Sequence, residues 1–147
     1  MAFSDYERFK WETMEDLAHR TGLGGPWYEV KRLTSDPAEQ AELVRRLVLE
    51  LFDDGFVFGT YAKNEDAYNL KWHEFTPVPR EVIEHELTRA EGDEPVEGDP
   101  EAIEWFWVFP TLEGERASLS QPAEAFFSEY SPDDIERRRG LIATLCD

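Results

Sequence analysis

The stretch Asp36 to Ala62, DPAEQAELVRRLVLELFDDGFVFGTYA, constrains the fold more than any other part of the chain. Asp36 is placed to cap a helix, Pro37 suits its first position, and Glu39 follows three residues after the cap. Val44, Leu47, Val48, Leu51 and Phe52 recur at i, i+3, i+4, i+7 and i+8, the spacing of a core-facing stripe. Gly55 is the natural stop. Phe56 to Ala62 then reads as a strand, apolar on both faces at its start, so cover on both sides is expected.

The flanking segments arrange themselves around this unit. Ser4 and Glu7 form a capping box, which predicts a first helix from Asp5 to His19 or Thr21 with Tyr6, Phe9, Met14 and Leu17 inward. Gly22, Gly24, Gly25 and Pro26 break it, and Trp27 to Leu33 reads as a short strand or an extended segment. Lys63 to Asn69 is polar and reads as a loop, and Leu70 to Thr76 as a strand or a turn. Arg80 to Arg89 fits a short helix with Val82, Ile83 and Leu87 inward. Glu91 to Glu104 carries seven acids, two prolines and two glycines, the composition of an exposed loop. Trp105 to Phe109, WFWVF, reads as a central strand. Leu112 to Glu115 is expected to make a glycine turn, and Ala117 to Tyr130 and Ser131 to Leu145 to form two C-terminal helices.

A chain of 147 residues is long enough for one domain with a real core. Its 33 acids against 15 lysines and arginines give a formal charge of −18. Such a charge repels nucleic acid and anionic membrane and attracts basic partners. The single cysteine, Cys146, allows no internal disulfide. The first residues lack a basic region followed by an apolar run, and no apolar stretch is long enough to span a membrane, so a cytoplasmic protein is expected.

The chemistry-bearing motifs fail one by one. His19, His73 and His85 have no second histidine at i+4, and neither HExxH nor a CxxC pair occurs, so no metal site is expected. In the acidic loop, Asp93, Glu97 and Asp99 are interrupted by Pro95 and Gly98, which breaks calcium-loop spacing. No G-x-S-x-G, P-loop or G-x-G-x-x-G is present, so no cofactor and no catalytic residue is nominated. Arg137, Arg138 and Arg139 follow Asp133, Asp134 and Glu136 and are expected to pair with them.

VRRLVLELFDDGFVFG, followed by WFWVFPTLEGERAS, resembles the recognition-helix-and-wing half of winged-helix proteins. There the helix before the wing ends at glycine, and the second wing strand runs into a T-x-x-G turn that starts the next helix, here Thr111 to Gly114. It looks closer still to small actinobacterial winged-helix-like proteins of unassigned function, which carry a short helix and a tryptophan-bearing strand between the wing strands, matching Trp72 to Ile103. The resemblance implies an α+β, winged-helix-like domain: a central helix, a small antiparallel sheet, a helix-containing insertion and C-terminal helices. Residues 1–147 would form one domain, with 36–118 as core, 63–104 as insertion and 117–147 as the C-terminal helices. It also implies a second function, a transcriptional regulator binding duplex DNA.

The helix face opposite the stripe bears Glu39, Glu42, Arg46, Leu49, Glu50 and Asp53. Four acids against one arginine is the wrong sign for a major groove. The first expectation is therefore a non-enzymatic, acidic protein-binding module, of inhibitor or immunity type, covering a basic partner surface. Its contact residues would be Glu39, Glu42, Leu49, Glu50 and Asp53, with Asp93, Glu94, Glu97 and Asp99 of the acidic loop. The DNA-binding alternative needs a basic patch that includes Arg45, Arg46 and Arg80, with Lys31 and Arg32. A third reading is a small enzyme whose pocket is lined by tryptophans and carboxylates. Self-association through aromatic strands and Leu49 fits the same sequence.

Overall fold

The computed structural model describes residues 3–89, 104–127, 131–134, 136–137 and 140. Helix α1 spans Asp5–Ala18, and the Ser4 hydroxyl accepts the Glu7 amide at 3.2 Å as the capping box requires. Phe9, Met14 and Leu17 are fully buried and Tyr6 half-buried. The next segment corrects the sequence reading. Gly24–Glu29 forms a helix, α2, continued by a 3-10 turn at Val30–Arg32, where a strand or extended segment was expected. Pro26 breaks nothing, because proline is tolerated in a helix's first turn. Gly25 lets α2 approach α1 closely, since a Cβ there would lie 2.8 Å from Asp16 Cβ.

Helix α3 spans Pro37–Asp53, with the Asp36 carboxylate accepting the Ala38 amide at 3.3 Å. Val44, Leu47, Val48 and Leu51 are buried, and Phe52 packs half-buried on the same core. Gly55, at φ 79, turns the chain into strand β1, Val57–Ala62. Strand β2, Trp105–Pro110, pairs with it antiparallel, Val57 opposite Pro110 and Ala62 opposite Trp105. Mixed helices around a small antiparallel sheet make the fold α+β.

The two faces of this sheet are covered differently. Val57, Phe106 and Val108 join the main core with α1, α3 and α5, the helix Arg80–Arg89. Ile83 and Leu87 of α5 are buried there and Val82 half-buried. Phe58, Trp105, Trp107 and Phe109 face a second aromatic core, closed by Ala67, Leu70, Trp72 and Phe75. The cover is residues 64–75: a helix, α4, at Asn64–Asn69, then a 3-10 turn at Trp72–Glu74. Lys63 to Asn69 is therefore mostly helical and not the expected loop, while Leu70 to Thr76 resolves as the turn.

Thr111 caps α6, Leu112–Leu119, accepting the Gly114 amide at 3.1 Å. The expected glycine turn is thus the first turn of this helix. The expected helix from Ala117 to Tyr130 instead ends at Leu119, and a 3-10 turn follows at Ala123–Ala125. Gln121–Pro122 interrupts it, since proline removes the amide a continuing helix needs. Residues 132–134 begin a helix capped by Ser131, whose hydroxyl accepts the Asp134 amide at 3.2 Å. Residues 136, 137 and 140 are helical too, with Arg137 paired to Asp134 at 3.5 Å as expected, and the rest of the expected last helix lies outside the described residues.

Candidate functional site

The outward face of α3 is where the sequence places a contact surface. Glu39 and Glu42 are exposed, Glu39 accepting the Thr34 hydroxyl at 3.1 Å. Glu50 is half-buried and takes the Tyr6 hydroxyl at 3.4 Å. Burial, followed by the Glu50 charge, pushes the Tyr6 phenol up to about 12. Leu49 packs half-buried against the main core. Asp53 is exposed but clasped by Arg80, whose Nε and Nη2 lie 2.9 and 3.1 Å from its two oxygens. This fork of hydrogen bonds holds the Asp53 carboxyl below its ordinary range. Asp93, Glu94, Glu97 and Asp99 lie outside the described residues.

The arginines of the expected basic patch are engaged elsewhere, while Lys31 is exposed. Arg80 also pairs with Glu84, one helical turn on. The Arg46 guanidinium lies over the Tyr6 ring, 5.0 Å from its centroid. Arg45 is half-buried and has further contacts. Arg32 pairs with Glu29 at 3.1 Å and lies over Phe127. Between Asp36 and Asp54 the chain carries six acids and two arginines. The face is therefore acidic, with its arginines turned to carboxylates and rings.

A second cluster lies between α1 and α2. Glu12, Asp16 and Glu29 bring carboxylate oxygens within 4.8 Å of one another, and Glu12 and Glu29 are buried. Such a group must be neutralised by a proton or a cation. Three carboxylates this close and this buried favour a proton at Asp16 over a third negative charge. Burial, then the Glu29 charge, pushes the Asp16 carboxyl up to about 8. Burial likewise raises Glu29, against the pull of Arg32.

A third polar group is buried under the aromatic cover. Glu115 accepts the Trp72 indole N–H at 2.9 Å. The Arg20 guanidinium lies 4.3 Å from the Trp72 ring centroid and donates to the Ala67 and Leu70 carbonyls at 2.5 and 2.7 Å. His19 meets Glu15 at 3.1 Å, while His73 and His85 are exposed. Sequence reading missed both buried groups. Glu12 and Asp16 stand at i, i+4 on the first helix, which was a visible signal, but Glu29 reaches them only through the α1–α2 packing.

No protein-family model, curated protein or solved structure matches the chain.

Proposed function

We propose that the chain is a non-enzymatic, acidic protein-binding module, of inhibitor or immunity type, that covers a basic surface on its partner. The observation that carries this reading is the contrast on α3. Glu39 and Glu42 stay exposed, while Arg46 rests on Tyr6 and Arg80 is held by Asp53 and Glu84. With −18 formal charges on the whole chain, a basic partner is drawn in faster than a neutral one, and salt weakens the encounter. The test is affinity capture from an extract of the native host at low and at high salt. A partner of basic surface retained at low salt and released at high salt is the expected result. No retained partner at low salt would remove the reading.

A transcriptional regulator is the second reading. It draws support from the element order: α3, a glycine stop, β1, a helix-bearing connection, β2, then Thr111-x-x-Gly114 opening α6. That order fits a winged-helix-like scaffold over residues 36–118. The charge on α3 disfavours its use on duplex DNA, and no fold fixes a function by itself. A shift of any duplex at low salt would favour the regulator over the protein-binding module.

A further inference from the structure

Arg20 occupies the position just past the cap of α1 with φ 61, the left-handed region where glycine is normal at a helix end. A long side chain there costs about 1 kcal/mol of backbone strain. It is also buried, 7% exposed, and burial lowers its pKa, with the Glu115 charge acting in opposition. Its guanidinium grips the cover through two carbonyls, of residues 67 and 70, and the face of Trp72, and it also lies 5.9 Å from the Phe109 ring centroid on the sheet. Beyond Arg20, the cover is held by its own packing on the sheet, with the Trp72 and Phe75 ring centroids 4.9 and 4.8 Å from that of Phe109. Trp72 reaches Glu115, Tyr68 stands edge-on to Trp107, and the Thr60 hydroxyl donates to the Thr76 carbonyl.

The cover also closes a core of its own. Ala67, Leu70, Trp72 and Phe75 meet the sheet face of Phe58, Trp105, Trp107 and Phe109, apart from the main core on the sheet's other face. Helix α4 is six residues long and buries one side chain, Ala67, too little to be stable alone. A segment that closes a small core of its own, apart from the main core, opens as a unit before the whole domain unfolds.

We propose that residues 64–75 form a strap that opens as a separate unit, latched shut by Arg20. Opening swings α4 and the Trp72 turn off the sheet and bares the Trp107 and Phe109 rings, with Arg20 and Glu115 beside them. The main core of α1, α3 and α5 stays packed through this motion. Strain at Arg20 and its double grip on the strap are thus two parts of one device.

Native-state hydrogen exchange at increasing sub-denaturing urea tests this on the whole chain. The amides of Ala67 and Leu70, hydrogen-bonded to Lys63 and Asp66, report the strap. The amides of Leu47, Val48 and Leu51 report the main core. In the wild type, the strap amides should exchange at least about tenfold faster than the core amides and with a weaker urea dependence. Arg20→Gly suits the backbone and removes only the latch, and it should speed strap exchange about tenfold or more. Val44→Ala weakens the main core and should speed core exchange while leaving the strap amides within about twofold. Equal rates and urea dependence for strap and core in the wild type would overturn the proposal. So would strap exchange that Val44→Ala speeds as much as core exchange. Should Arg20→Gly fail to fold, the wild-type and Val44→Ala measurements decide alone.

Discussion

Replacing Asp16 by asparagine should make the protein more stable above neutral pH and flatten its pH dependence. The Asp16 carboxyl moves from 3.8 to about 8 on folding, chiefly because burial disfavours its charge and then because Glu29 repels it. The folded chain therefore holds this proton more tightly than the unfolded chain. Its contribution to stability is complete below about pH 4 and is lost as pH rises through about 8. Linkage over that span caps the loss at about 6 kcal/mol. Water reaches the half-buried Asp16 side chain and screens it, which brings the expected loss to about 2 kcal/mol. An asparagine amide can still donate to Glu29 and never ionises. Urea unfolding followed by tryptophan fluorescence, for wild type and Asp16→Asn between pH 4.5 and 9, measures the difference. Near pH 4.5 the two should be within about 0.5 kcal/mol, and by pH 9 the variant should lead by about 2 kcal/mol. Comparing the two proteins cancels the relief of general charge repulsion that acid brings to both. Parallel curves, or a variant less stable at pH 9, would refute a proton held at Asp16.

Three further outcomes follow from particular contacts. Gly114→Ala should cost more than about 3 kcal/mol in urea unfolding, because its Cβ would lie 2.0 Å from the Phe56 carbonyl oxygen and 2.8 Å from Met14 Cε. Trp72→Phe keeps the stack on Phe109, whose centroid is 4.9 Å away, but deprives the buried Glu115 of its indole donor; about 2 kcal/mol should be lost in the same assay. Asp53→Asn breaks the fork to Arg80 at an exposed site, so its urea unfolding midpoint should scarcely move, and less still in high salt.

Much of this fold was legible because periodicity and capping are local. The stripe of Val44, Leu47, Val48 and Leu51 is buried as its spacing predicts, and Asp36 and Ser4 cap as their positions predict. The T-x-x-G turn gains a physical reason that no spacing rule contains: Gly114 is required where α6 meets the backbone before β1. Where the sequence misled, tertiary packing overrode weak local signals. Gly24, Gly25 and Pro26 look like punctuation, yet they form the start of α2, which packs closely on α1 at Gly25. Helix α4 has one buried residue and hence no periodicity to detect. Arg20 and Glu115 are buried charges whose partners come from distant segments, and Glu29 joins the i, i+4 pair of Glu12 and Asp16 only through tertiary packing, so sequence neighbourhood did not mark these groups in full. On the proposed contact face, the wheel of α3 located the acids, but only the structure distinguishes the exposed Glu39 and Glu42 from Glu50, which is tied to Tyr6, and Asp53, which is tied to Arg80.

That distinction sets the most direct measurement. Glu39→Gln with Glu42→Gln removes two exposed charges from α3 and leaves its buried stripe untouched. With the captured partner in hand, titration calorimetry at low salt should give a Kd raised about tenfold or more for this pair, with the gap closing at high salt. Unchanged affinity at low salt, from a variant that unfolds like the wild type, would contradict a partner held by the acidic face of α3.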